Sequence, residues 1–269
     1  QLHKIKLTNS PFTKKNMPLS SQEQLKKQIE TAENILILTA EKPTPDAIAA
    51  SWALFHLLKR LGKNPAVLQK ENADSLSFLA SPEKMETEIK GARDFVLSFD
   101  TKRNRIIDFR TENKIDAFEI YITPEKGSID PRDFSFIPAK FKYDLVIILG
   151  CQSLESLGSL AEKNSDLFFE VPVANIDNSS ANENFGQINL VDITSSSLSE
   201  IAAELFKQFW EKQTEKSAAQ CLLTGLIAAT HNFQSKKTTP RTFLAASWLI
   251  EAGANQQEIV RNIYYCSCK

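Results

Sequence analysis

At 269 residues, with 42% hydrophobic and 24% charged side chains, the chain has ordinary globular composition and length enough for one large core or two smaller ones. A formal net charge of -1 excludes the global basic field of a non-specific nucleic-acid binder, so duplex DNA is not an expected partner, while short, mononucleotide-sized anions stay open. No apolar run approaches the ~18 residues of a membrane span, and four scattered cysteines give neither a zinc signature nor a disulfide framework. The expected location is therefore cytoplasmic, with reduced thiols and no membrane partner.

Residues 1–20, polar with two prolines and several lysines, are expected to form an extended lead-in. Ser20-Ser21-Gln22-Glu23 is a capping signal for a helix carrying Leu25 and Ile29 and ending near Asn34. Ile35–Thr39 is an unbroken apolar run, as expected of a strand buried on both faces of a parallel sheet. The loop through Pro43-Thr44-Pro45 cannot be helical, and a helix is expected from Asp46, where the carboxylate sits in the first turn, to Gly62 as C′ residue. Pro65–Leu68 then gives a second strand and completes a β-α-β unit with a right-handed crossover.

Residues 70–142 read differently. Ser81-Pro82-Glu83-Lys84 suggests a short helix, and Asp94–Phe99, Arg105–Arg110 and Ala117–Thr123 each have strand character. They predict a three-stranded antiparallel insertion over about 94–123, followed by an irregular exit in which Phe134, Phe136 and Phe141 are packing residues rather than base-stacking platforms. Leu145–Leu149 is the strongest strand signal and ends at Gly150-Cys151-Gln152. Ser156–Asn164 is expected as a short helix, Phe168–Ile176 as a strand ending at Asp177, and Gln187–Val191 as a further strand. Ser195-Ser196-Ser197 caps a long amphipathic helix, and helices over 217–230, 239–253 and 256–265 close the chain. The alternation predicts an α/β fold, a mainly parallel sheet flanked by helices with a small antiparallel insertion. By pattern alone Asp177 reads first as a cap of backbone amides where the strand leaves for the polar loop Asn178-Ser179-Ser180-Ala181-Asn182, with a functional carboxylate at a strand's carboxyl end as the other reading.

Taken together, Asp46-Ala47-Ile48 after its proline-bearing loop, Asp144-Leu145-Val146-Ile147, Asn175-Ile176-Asp177 with Asn182 and Phe185-Gly186, Ser195–Glu200, and Thr224-Gly225-Leu226-Ile227 with Thr230 and Phe233 resemble successive motifs of the DHH phosphoesterases. The resemblance covers about residues 30–265. It points to the branch of nanoRNases and pAp phosphatases, similar to the RecJ nucleases in the first domain. It implies a DHH-type domain over 21–265, and two manganese ions held by aspartates and histidines at the carboxyl ends of the strands. Two hard cations bridging attacking and leaving oxygens need several carboxylates and imidazoles to converge.

This sequence departs from that ligand set. Ala40-Glu41-Lys42-Pro43-Thr44-Pro45-Asp46 keeps only the last carboxylate of the first motif, Gly150 stands at the second motif's aspartate, and Ala229 at the late one. The name-giving Asp-His-His is Asp177-Asn178-Ser179. Glu41 and His231 are the candidate substitute ligands. The resemblance also implies a C-terminal DHHA1 domain with a glycine-rich segment; eight glycines, none adjacent, lead to the expectation that it is absent.

The expectation is a catalytically depleted DHH-like domain in which Asp46 and Asp177 are vestigial catalytic and metal-site carboxylates. Thr44, Asn178, Ser195 and Ser196 are the expected ligand-binding residues, for a mononucleotide or short RNA held weakly without cofactor. Helix N-terminal amides near Asp46 and at Ser195-Ser196-Ser197 are the expected anion receptors. The alternatives are an active Mn²⁺- or Mg²⁺-dependent phosphodiesterase or phosphatase on short RNA or pAp, and a non-enzymatic partner-binding protein using the insertion as its interface. A dimer is compatible with either.

Overall fold

In the computed structural model the described residues are 18–265, apart from 70–73, 90–92 and 103. The lead-in to residue 17 and the terminal Cys266-Ser267-Cys268 lie outside them. α1 (Ser21–Thr31) begins with the expected capping box, in which Ser20 accepts from the Glu23 amide while the Glu23 carboxylate accepts from the Ser20 amide at 2.8 Å. It leads into β1 (Asn34–Thr39), α2 (Pro45–Arg60) and β2 (Asn64–Leu68). Thr44 caps α2 with Pro45 at its first position, and Gly62, at φ +75°, closes the far end.

The remaining sheet strands are β3 (Met85–Glu86), β8 (Leu145–Leu149), β9 (Val173–Asp177) and β10 (Ile188–Val191), numbered around four insertion strands, β4 (Arg93–Phe99), β5 (Ile106–Asn113), β6 (Phe118–Pro124) and β7 (Phe134–Phe141). Strand order is β10-β9-β8-β1-β2-β3, parallel throughout. Alternation along β1 divides the core: Ile35 and Ile37 face α2, α5 (Leu198–Trp210) and α6 (Lys216–Thr230), whereas Leu36 and Leu38 face the layer of α3 (Ser159–Lys163) and α4 (Ser165–Glu170). α7 (Pro240–Glu251) and α8 (Gln256–Val260) pack on the first side. Among the described residues no helix is long and apolar enough to cross a membrane.

Three expectations are corrected. Residues 165–170 are helix α4, and the strand starts only at Val173, because Leu167, Phe168 and Val171 bury against the second sheet face before Pro172 extends the chain. No helix opens at Ser81; Met85 and Glu86 instead satisfy the open edge of β2, with the Gln69 amide donating to the Glu86 carbonyl at 2.9 Å. The insertion has four strands in two separate pairs, β4 with β7 and β5 with β6, so the segment read as an irregular exit is itself a strand. Of its phenylalanines, Phe134 packs on Phe99 and Phe141 lies under the Arg93 guanidinium, but Phe136, opposite Leu97 in the ladder, is 78% exposed.

β1 and β8 are neighbours whose onward connections leave in opposite directions, toward β2 and toward β9. In an open parallel sheet that reversal leaves a crevice beyond the carboxyl ends of the two strands.

Candidate functional site

A cavity of about 560 Å³ occupies that crevice, within the usual range for a small-molecule site. Thr44, Pro45 and Asp46 reach it from the loop after β1, Gly150 and Gln152 from the end of β8, and Asp177, Asn178 and Ser179 from the end of β9. Ser196 and Leu198 enter from the start of α5, and Ala228, Ala229, His231, Ser235 and Lys237 from the end of α6 and the loop beyond. Of the residues singled out in sequence, Asp46, Asp177, Thr44, Asn178 and Ser196 line this one cavity. Ser195 does not: it is buried, and its hydroxyl donates to the Ser197 carbonyl at 2.9 Å.

Asp46 is turned into the protein. Its Oδ2 accepts from the Leu198 amide at 2.7 Å, and its Oδ1 accepts from the Ser199 amide at 3.1 Å and the Ser199 hydroxyl at 2.6 Å. The carboxylate therefore caps α5 from across the core, beside the helix's own cap, Ser197, which accepts from the Glu200 amide at 2.9 Å. Burial raises the Asp46 carboxyl to about 6, outweighing the three hydrogen bonds that favour its anion, and the nearby Glu200 adds to the rise. The Ser196 amide is also taken, by the Glu200 carboxylate at 3.3 Å. The expectation that the start of α5 receives an anion is therefore overturned: its amides already face two carboxylates.

Asp177, buried at the end of β9, is held by the polar loop that follows. Its Oδ1 accepts from the Asn178 amide at 2.8 Å and its Oδ2 from Asn182 Nδ2 at 2.8 Å, while Asn182 also donates to the Cys151 carbonyl and accepts from Asn175 Nδ2, both at 2.9 Å. The loop-capping reading of Asp177 describes this geometry, and the sheet-end reading its position. Asn178 donates to the Ser195 carbonyl at 3.4 Å, joining the β9 loop to the α5 loop. Burial and the charge of Asp177 push the Cys151 thiol up to about 12, which leaves it protonated and unreactive.

Of the last wall, the sequence pointed to Ala229 and His231 but not to Ser235 or Lys237. α6 ends in three consecutive left-handed residues, His231, Asn232 and Phe233, at φ +49°, +57° and +65°. Non-glycine residues pay for that conformation, and here Thr230 holds them: its hydroxyl accepts from the Phe233 amide at 3.0 Å and its carbonyl from the Gln234 and Ser235 amides at 2.9 Å. The chain is thereby bent back so that Ser235 and Lys237 line the cavity. In sequence, Ser235-Lys236-Lys237 is an ordinary solvated loop, and only the bend gives Lys237 a role. Lys237 is exposed and its ammonium has no ion-pair partner among the described residues.

The donor set does not fit a two-metal centre. Gly150, Ala228 and Ala229 bring no donor, Asp46 points both oxygens at α5, and Lys237 brings a positive charge. Among the described residues no three His, Cys, Asp or Glu side chains gather in a metal-holding arrangement. His231 lines the cavity as the C-cap of α6. Glu41, the other substitute ligand considered, turns the other way, against Gly158 and the crevice formed with Leu157 and Leu160.

Comparison with known proteins matches this arrangement to the model of the DHH family, N-terminal domain, over residues 34–226. Among solved structures, an exopolyphosphatase-related protein from Bacteroides fragilis superposes with a TM-score of 0.64 at 17% identity, covering 91% of this chain and 60% of that one. A Methanococcus jannaschii protein assigned to the family II inorganic pyrophosphatases gives a TM-score of 0.49 at 16% identity, covering 85% of this chain and 61% of that one. The chain thus spans about 60% of the length of the structures it matches.

Proposed function

This chain belongs to the DHH family, and we propose that within it the domain is a catalytically depleted relative of the oligoribonuclease and pAp phosphatase type, whose crevice binds a phosphate-bearing ligand of mononucleotide size without metal. The observation that carries the reading is the orientation of Asp46, whose oxygens serve the amides of Leu198 and Ser199. A carboxylate so engaged supports helix α5 instead of a cation. The cavity offers the ligand the Lys237 ammonium and the hydroxyls of Thr44, Ser179 and Ser235, while the Ser196 hydroxyl is held by Glu200 and Thr242. Asp177 opposes the anion, so the affinity is weak.

The test is an assay of mononucleotide release from a short oligoribonucleotide and of phosphate release from pAp, with Mn²⁺, Mg²⁺ and Co²⁺ in turn, beside calorimetric titration with pAp in EDTA. The expected result is no turnover with any ion and weak, chelator-insensitive binding that falls about tenfold in Lys237→Gln, the loss of one charge-assisted contact. Mn²⁺-dependent hydrolysis that disappears in Asp46→Ala would overturn the depletion. Silent titrations would overturn the binding.

A further inference from the structure

The β5–β6 hairpin has two chemically distinct faces. Directly opposed residues of an antiparallel pair share a face, and the register pairs Phe109 with Ile122, Thr111 with Ile120 and Asn113 with Phe118. Ile106, opposite Pro124, lies on the same face, while Ile107 stands in the bulge between Ile106 and Asp108 without a partner in the register. The opposite face carries Asp108, Arg110, Glu112, Glu119, Tyr121 and Thr123, and is tied together by polar contacts. The Arg110 guanidinium lies 4.5 Å from the Tyr121 ring centre, the Tyr121 hydroxyl donates to Glu119, and Lys114 pairs with Glu119 at 2.6 Å.

The first face is uncovered: Phe109, Phe118 and Ile120 are 70%, 60% and 45% exposed. Scattered exposed apolar residues need no explanation, but a contiguous row of them on one side of an amphipathic hairpin does. A two-stranded hairpin is marginal alone and becomes stable when its apolar face is packed.

We propose that this face is the contact between two copies of the chain, packed hairpin on hairpin about a two-fold axis. Each copy then supplies the second layer that the other lacks, which makes a small two-sheet sandwich. Phe109, Phe118, Ile106, Ile120 and Ile122, with the exposed Thr111 and Asn113 between them, cover on the order of 500 Å² per copy, so a pair buries about 1,000 Å², the lower bound for a specific interface. The two-fold brings like apolar rows together and leaves the charged face of each hairpin in water, so no charge is buried. The contact is independent of the crevice, which opens at the carboxyl ends of β1 and β8.

Sedimentation equilibrium of the full chain, from low micromolar to several hundred micromolar, tests it. The expected result is a concentration-dependent rise from one-chain to two-chain mass. The Phe109→Asp, Phe118→Asp double variant should stay at one-chain mass with an unchanged circular dichroism spectrum, while Asp108→Asn on the opposite face still pairs. Hydrogen exchange of the β5–β6 amides should slow as wild-type concentration rises. A wild-type chain that remains single at every concentration overturns the proposal, and so does a double variant that still pairs or a pairing that leaves the hairpin amides unprotected.

Discussion

Asp46 and Ser199 are 153 residues apart in the chain and joined by a 2.6 Å hydrogen bond at the centre of the fold. The bond links the start of α2 to the start of α5 and gives the carboxylate its partners inside the protein. The carboxylate serves a helix terminus, whose partial positive charge and free amides favour it.

Stability should therefore depend on pH through Asp46. Its carboxyl is raised from 3.8 to about 6 in the folded protein, so between these values the folded chain holds a proton that the unfolded chain has lost. This contribution is complete below about pH 4 and is lost as pH rises through about 6, a change of up to about 3 kcal/mol. Urea unfolding of wild type and Asp46→Asn at several pH values isolates it. The wild type should lose stability relative to the variant as pH rises across that window; parallel curves would contradict the assignment.

Gly225 on α6 sets the room available to this pair. A Cβ there would stand 2.0 Å from the Ser199 hydroxyl and 2.6 Å from Asp46 Oδ1. Replacing glycine by alanine inside a helix ordinarily stabilises by about 1 kcal/mol. Here Gly225→Ala is expected to destabilise by about 2–4 kcal/mol, because a buried hydrogen bond must break or two helices must separate. A raised melting temperature in calorimetry would show that the contact yields.

Arg241 should matter to the same degree for a different reason. It pairs with Asp192 at 2.9 Å and Glu204 at 2.6 Å, and its Nε lies 3.6 Å from the fully buried Glu200, whose Oε1 has no hydrogen-bond partner. The other oxygen of Glu200 is held by Ser196 and Thr242. Removing the guanidinium leaves that charge buried and poorly compensated, so Arg241→Ala is expected to cost about 2–4 kcal/mol. Arg241→Lys should cost less, since it keeps the charge and loses the fork. Equal urea midpoints for wild type and Arg241→Ala would assign the cluster to the surface.

Restoring histidines is not expected to restore hydrolysis. In Asn178→His with Ser179→His, Gly150 and Ala229 still supply no ligand. Gly150 cannot simply be replaced, because it adopts φ +67° and a Cβ would lie 2.8 Å from Leu198 Cδ1. Mn²⁺-dependent release of phosphate from pAp by that double variant would prove the Asp46 and Gly150 argument wrong.

The sequence alone determined the layered plan. Unbroken apolar runs at Ile35–Thr39 and Leu145–Leu149 require burial on both faces, and Ser20, Thr44 and Ser197 mark where helices begin, because both signals are local. The motif order around Asp46 and Asp177 also gave the family and placed both carboxylates in one crevice.

Only the tertiary structure decided what those residues do there. Asp46 faces Leu198 and Ser199, Lys237 reaches the cavity through a left-handed bend held by Thr230, and β4 pairs with β7 instead of β5. Each depends on contacts between residues far apart in the chain, or on a local turn whose direction matters only once the sheet is in place. Such pairings are set by burial and hydrogen-bond satisfaction across the whole core, and no window of sequence contains both partners.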